Sequence, residues 1–247
     1  NELDLNTVKA DYKNYLFKYK YQANFSERET YFNHFQVAAI LLAKKFESNK
    51  KFDDEIKTLK TLKEETFKKR FFSSPSKARV INDLLPLNIY KNQSDYKKKI
   101  NINLSKNSSV IPIFIVGLPR SGSTLVEKMI SNPNKVFNCD ESLLIDKYIN
   151  KIKTSENTEN LYKFYCKNFD QIINFKYFTD KTLGNFCHMD LIIDLFPNAK
   201  FVHCTRDLKE NIIGIFKQNF DQLPWSYTLE SILKYVDHYL KLMNFLN

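Results

Sequence analysis

The stretch Phe114-Ile115-Val116-Gly117-Leu118-Pro119-Arg120-Ser121-Gly122-Ser123-Thr124 decides how this chain is read. The β-branched run Val110 to Val116 predicts a buried strand. Gly117 to Gly122 predicts a tight turn. A helix is expected from Ser123 to Ser131, ended by Asn132-Pro133, with Leu125, Val126, Met129 and Ile130 facing inward. Strand, glycine turn and helix start in that order aim several backbone N–H groups at one point, and the helix dipole adds partial positive charge there. A phosphate-like anion suits such a point. The spacing Gly117-x4-Gly122-x-Thr124 follows the nucleotide P-loop pattern, but Ser123 stands where an ATPase or kinase places its lysine. The positive charge comes earlier, at Arg120. The loop suits a 5′-phosphate and lacks the lysine that reaches a β/γ-phosphate pair.

Outward from this loop, strands and helices alternate. Val136-Phe137 begins a short extended piece leading to Asp140-Glu141, and a polar helical stretch is expected over about 143–170. Tyr177-Phe178-Thr179 reads as a strand and Asn185 to Phe196 as a helix stopped by Pro197. Lys200 to Thr205 reads as a strand and Leu208 to Phe220 as a helix. This order predicts an α/β domain over 110–247, with a parallel sheet flanked by helices. Ligands of such sheets bind beyond the carboxyl ends of the strands. Three charged motifs are expected at those ends: Arg120, Asp180-Lys181 and Arg206-Asp207.

Residues 1–100 read as an α-helical region. Phe35, Ala38, Ala39, Leu42 and Phe46 form a helical stripe, Glu47 to Lys51 a turn, and Ile56, Leu59, Leu62 and Phe67 one face of a second helix. The hairpin, with a preceding helix from about Val8 to Tyr21, resembles a tetratricopeptide unit; a helical lid or extension is the open alternative. The boundary between the two regions is expected within about 75–110, near the loop-like segments Ser73–Ser76, Lys91–Ser94 and Asn101–Ser109.

The bulk composition sets outer limits. At 247 residues, 43% hydrophobic and 15% aromatic, the chain can build a packed core. Its net charge of +10 predicts attraction to anions. Cys139, Cys166, Cys187 and Cys204 show no metal-ligand spacing and read as small core residues. The four histidines show none either, so no metal site is expected; His203, mid-strand, reads as a core residue. The longest apolar run, Val110 to Leu118, is far short of a membrane span. With no signal peptide visible, a cytoplasmic location is expected, although a chain that begins at Asn leaves a leader open.

Four motifs together resemble the sulfotransferase superfamily: Pro119-Arg120-Ser121-Gly122-Ser123-Thr124-Leu125, Asp140-Glu141, Thr179-Asp180-Lys181-Thr182-Leu183-Gly184-Asn185-Phe186, and Phe196-Pro197-Asn198-Ala199-Lys200-Phe201-Val202-His203-Cys204-Thr205-Arg206-Asp207. The chain is most similar in pattern to bacterial proteins that join tetratricopeptide helices to a sulfotransferase domain, relatives of the tyrosylprotein sulfotransferases. The resemblance implies 3′-phosphoadenosine 5′-phosphosulfate as donor and no metal. It implies that Arg120 and the N–H groups of Ser121, Gly122, Ser123 and Thr124 bind the 5′-phosphate. Glu141 would be the general base, Lys181 a stabiliser of the transferring group with Arg120, and Arg206 the ligand of the 3′-phosphate. Asp180 reads as a structural partner.

Three departures from the family pattern stand out. Asp140 occupies a position where relatives commonly have Gly, and Gly214 one where they usually place a Ser on the 3′-phosphate. Relatives also continue well past Trp225-Ser226-Tyr227, so the domain is expected to be truncated at its C-terminus. The resemblance implies a hydroxyl acceptor, whether protein tyrosine, polysaccharide or small molecule. It implies no nucleic-acid partner, and leaves the N-terminal helices as a surface for a protein partner. Two other readings stay open: a P-loop phosphotransferase, and a non-catalytic helical interaction protein with a degenerate nucleotide fold.

Overall fold

In a computed structural model of the chain, residues 4–22, 27–71, 81–93, 110–154, 160–220 and 223–246 are described. They form two compact units, one of residues 1–78 with 216–231, the other of residues 79–215 with 232–247. The loop-like segments expected at Ser73–Ser76 and Asn101–Ser109 lie outside the described residues.

The second unit holds a four-stranded, all-parallel sheet: β1 (Ile111–Gly117), β2 (Val136–Asn138), β3 (Tyr177–Asp180) and β4 (Lys200–Cys204), in the order β2-β3-β1-β4. Parallel neighbours need crossovers, and helices supply them. They are α5 (Ser123–Ile130) after β1, α6 (Leu144–Thr154) and α7 (Leu161–Asn168) after β2, and α8 (Met189–Leu195) after β3. The helices α9 (Leu208–Lys217) and α10 (Leu229–Leu246) follow β4. In the register, Ile113 lies opposite Thr179 and Gly117 opposite Cys204, so β1, β3 and β4 end at one edge of the sheet.

Phe114, Phe178, Phe196 and Tyr165 are fully buried and fill the core beside the sheet, the Tyr165 and Phe178 rings 4.9 Å apart. The helix α6 buries Leu144, Ile145, Tyr148, Ile149 and Ile152, a single stripe at helical spacing. At about 1.5–3 kcal/mol per large apolar side chain, that stripe is what anchors the helix.

The first unit is built from α1 (Leu5–Phe17), α2 (Arg28–Ser48) and α3 (Phe52–Phe71); α4 (Pro86–Lys91) belongs to the second. Asp4 caps α1 by accepting from the Asn6 N–H at 2.7 Å. Phe32, Phe35, Ala38, Ala39, Leu42, Ala43 and Phe46 form the buried face of α2. Its small alanines let neighbouring helices approach. Lys50, at φ +56°, turns the chain into α3.

The reading of the second helix's inner face changes here. Ile56 is 44% exposed and does not join Leu59 and Leu62 in the core. The buried face of α3 carries Glu55, Thr58, Lys63, Glu65 and Thr66 instead. Lys63 explains the pattern: it donates to the carbonyls of Gln218 (3.0 Å) and Ser226 (2.7 Å), tying the segment Phe216–Ser231 to α3. Burial lowers its ammonium pKa to about 8.

In the second unit, the buried face of α5 is shifted from the expected one: Val126 and Ile130 are half-buried as expected, but the other two expected residues are not. Leu125 and Met129 are 64% and 75% exposed, while Ser123 and Glu127 are buried. His203 is exposed rather than core, with its Nε2 2.5 Å from the Tyr239 hydroxyl. Among the four cysteines, all free thiols, Cys139, Cys187 and Cys204 are buried.

Candidate active site

The loop after β1 is shaped by its backbone. Gly117, at φ +145°, passes so close to β4 that a Cβ there would lie 2.5 Å from the Cys204 carbonyl oxygen. Arg120 (φ +68°) and Gly122 (φ +92°) both take left-handed conformations, and Gly122 starts α5. Alternating handedness turns successive N–H groups toward one side, the geometry of an anion nest. The backbone N–H groups of Ser121, Gly122, Ser123 and Thr124 find no acceptor among the described residues. The Ser121 hydroxyl is buried and also without a partner among them. A left-handed non-glycine residue is strained. At Arg120 that strain leaves an exposed guanidinium with no ion pair among the described residues.

A second arm comes from beyond β2 and β3. Pairing continues past the strands: the Cys139 N–H donates to the Thr179 carbonyl (3.0 Å) and the Lys181 N–H to the Asp140 carbonyl (2.8 Å). Asp140 (φ +49°) and Leu143 (φ +55°) then bend the chain into α6. Asp is among the residues that tolerate the left-handed region, which lets a residue other than Gly make this bend. The bend lays Glu141 against Lys181, with 3.1 Å between Lys181 Nζ and Glu141 Oε1. Glu141 is largely exposed and Lys181 is 5% exposed.

Asp180 is fully engaged beneath them. It accepts from the hydroxyls of Ser142 and Tyr165, both at 2.6 Å, from the Thr182 N–H at 2.9 Å and from Asn185 Nδ2 at 3.3 Å. Burial and the Asp180 carboxylate together hold the Tyr165 phenol well above its ordinary pKa, so it remains a donor.

The third arm follows β4. Asp207 caps α9, accepting from the Glu210 N–H at 3.0 Å. Arg206 points both Nε (3.0 Å) and Nη2 (2.8 Å) at one carboxylate oxygen of Glu210. Asn211, buried, donates from Nδ2 to the Pro119 carbonyl at 2.5 Å and so ties α9 to the loop of Arg120. Gly214 lies under the same arginine: a Cβ there would be 3.3 Å from Arg120 Cβ. The lack of a side chain at 214 thus leaves room for Arg120, and Asn211 is committed to the loop.

The geometry therefore gathers Arg120, Ser121, Gly122, Ser123 and Thr124 on one loop and pairs Glu141 with Lys181 on an adjoining segment. It brings Arg206 off the neighbouring strand, since Gly117 and Cys204 are register partners. Two carboxylates escaped the sequence reading. Glu210 is legible in retrospect, because it stands four residues after Arg206 on a helix. Glu127 is 4% exposed; its Oε1 accepts from the Thr179 hydroxyl at 2.9 Å and its Oε2 lies 3.8 Å from Lys181 Nζ. Burial pushes the Glu127 carboxyl up from its ordinary value, opposed by Thr179 and Lys181. Only its place four residues after Ser123, as the one acid of its helix, could have marked it.

The sequence profile described as "Sulfotransferase family" matches residues 112–172 and 154–247, together more than half of the chain. The chain belongs to the sulfotransferase family. A relative from Aquifex aeolicus (strain VF5), named "Uncharacterized protein", is 27% identical over 150 residues, covering 52% of this chain and 20% of that protein. The chain thus matches about one-fifth of the length of this relative. No solved structure matches it. Among the described residues, no helix is long and apolar enough to cross a membrane, and no group of side chains could hold a metal ion.

Proposed function

We propose that this sulfotransferase-family chain moves a sulfuryl group from 3′-phosphoadenosine 5′-phosphosulfate to an acceptor hydroxyl by in-line displacement, in the cytoplasm. The observation that carries the reading is the Lys181–Glu141 contact of 3.1 Å, a cation and an exposed base side by side at the sheet edge that also bears Arg120. The loop residues fit a 5′-phosphate: the Ser121 hydroxyl is buried and unpaired, and no acceptor among the described residues takes the N–H groups of 121–124. The donor supplies a sulfuryl group carried on a phosphate leaving group. The new bond joins acceptor oxygen to sulfur while the bridging S–O bond breaks. Glu141 takes the acceptor's proton. The electron pair leaves on the phosphate oxygen, where Arg120 and Lys181 stabilise the developing charge. Arg206 holds the 3′-phosphate, the group that separates this donor from ATP.

The acceptor class supported by this chemistry is a hydroxyl of a protein tyrosine, a polysaccharide or a small molecule. The α2–α3 hairpin, with buried alanines on α2 and a turn at Lys50, supports a tetratricopeptide-like surface for a protein partner. A thermal-shift series tests the reading. Adenosine 3′,5′-bisphosphate raises the melting temperature with or without Mg²⁺, and Mg–ATP does not. Stabilisation by Mg–ATP alone would replace the proposal with a phosphotransferase. No response to either nucleotide would replace it with a non-catalytic nucleotide fold.

A further inference from the structure

Lys181 stands between two carboxylates of opposite character. Glu141, on the outside, is mostly exposed and only 3.1 Å from the ammonium. Glu127, on the inside, is 4% exposed, fixed by the Thr179 hydroxyl and 3.8 Å away. Thr179 is itself fully buried on β3, so Glu127 is held from the sheet rather than from solvent. The helix that carries Glu127 exposes Leu125 and Met129 and turns its one acid inward. Burying a carboxylate in that way is unfavourable unless a cation or hydrogen bonds compensate it. An inward leucine would have packed at lower cost, so hydrophobic packing does not account for this orientation.

A cation held by the base alone would lose its anchor the moment the base turned to a substrate proton. A cation held from below can stay in place while its outer partner moves away. We propose that Glu127 is a positioning residue: from beneath, its carboxylate holds the Lys181 ammonium at the floor of the site, so that Glu141 can leave Lys181 to accept the acceptor's proton. The inference rests on the sulfuryl-transfer reading for its catalytic consequence, while the Glu127–Lys181 link stands on geometry alone.

The test uses the full chain and the variants Glu127→Gln and Glu127→Asp. The first readout is acylation of Lys181 by a water-soluble succinimidyl ester, quantified by mass spectrometry against the other lysines. In Glu127→Gln, Lys181 reacts about fivefold faster, because its amine is no longer anchored beneath the site by a carboxylate. The second readout is donor turnover, counted as adenosine 3′,5′-bisphosphate formed with water or a phenol as acceptor. In Glu127→Gln, kcat falls on the order of 10- to 100-fold, the usual loss when a supporting partner of a site group is removed. The KM for the donor and the affinity for the bisphosphate stay within about threefold, an allowance for a loop whose own phosphate contacts are intact. Glu127→Asp, which keeps the charge, recovers part of both effects.

Unchanged Lys181 labelling overturns the proposal. So does an unchanged kcat, or a loss of bisphosphate affinity in step with kcat, which would make Glu127 a prop of the loop. If the unaltered protein neither binds the bisphosphate nor turns over donor, the sulfuryl-transfer reading fails. The labelling result still decides whether Glu127 holds Lys181. Should Glu127→Gln not fold, labelling of Glu127→Asp decides in its place: the shorter acid slackens the hold and raises Lys181 reactivity, and no rise overturns the proposal.

Discussion

Replacing Glu210 by Gln should tighten binding of adenosine 3′,5′-bisphosphate. Arg206 spends two donors, Nε at 3.0 Å and Nη2 at 2.8 Å, on one oxygen of Glu210, with both side chains at least half exposed. A 3′-phosphate must take that guanidinium over. Opening an exposed i,i+4 ion pair costs about 0.3–0.5 kcal/mol. Glu210 would then remain near the bound phosphate; at roughly 6 Å in water-like dielectric, each unit of like charge costs about 0.7 kcal/mol. With about −1.5 to −2 charges on the 3′-phosphate, the two terms sum to roughly 1.5 kcal/mol, or about a tenfold lower Kd for the Gln variant. Titration calorimetry with adenosine 3′,5′-bisphosphate and with 5′-AMP separates the effect from a general one. The gain should appear only for the bisphosphate and shrink as salt is raised. An equal gain for 5′-AMP, or none for either nucleotide, refutes the placement of Arg206 on the 3′-phosphate.

Three further outcomes are expected. Lys181→Ala and Glu141→Gln should each lower kcat on the order of 10²- to 10³-fold while changing bisphosphate affinity by less than about threefold, measured by steady-state turnover and calorimetry. Gly117→Ala should destabilise the sheet unit by about 3 kcal/mol or more, because its Cβ would meet the Cys204 carbonyl oxygen at 2.5 Å and φ there is +145°; an unchanged melting curve contradicts the close approach. Lys63, lowered by burial to about 8, should leave a pH signature. Its folded pKa lies below its unfolded one, so between those values the unfolded chain binds more protons and stability rises with pH. Relative to Lys63→Met, urea unfolding at pH 7.5, 9 and 10 should show the native protein gaining on the order of 2 kcal/mol across that window; a flat difference argues against a buried ammonium.

The sheet was legible in the sequence because its signals are local. Val110 to Gly117 carries both β-branched residues and the glycine that ends the strand, and β1 lies within one residue of its expected bounds. The residues of the anion loop are contiguous, so their meeting needed no tertiary information. Glu141 and Lys181 could each be named, but their contact depends on the β2–β3 register and on the left-handed turn at Asp140. The facing of α5 was misread in part because periodicity marks an apolar face without saying how it is turned. The deciding partners of Glu127, Thr179 and Lys181, lie more than fifty residues further along. Lys63 was missed for the same reason, since the carbonyls that hold it are 155 and 163 positions away. His203 was misread because its strand alternates faces, and which face is covered depends on elements far along the chain, among them Tyr239, whose hydroxyl it meets.

Asn211 reaches from the first turn of α9 to the carbonyl of Pro119, and Gly214 lies one turn further along beneath Arg120. The segments that would grip the two phosphates are therefore stitched to each other before any nucleotide arrives. Lesions on the two sides should combine non-additively, and a graft of residues 117–124 into another scaffold would have to carry α9 with it.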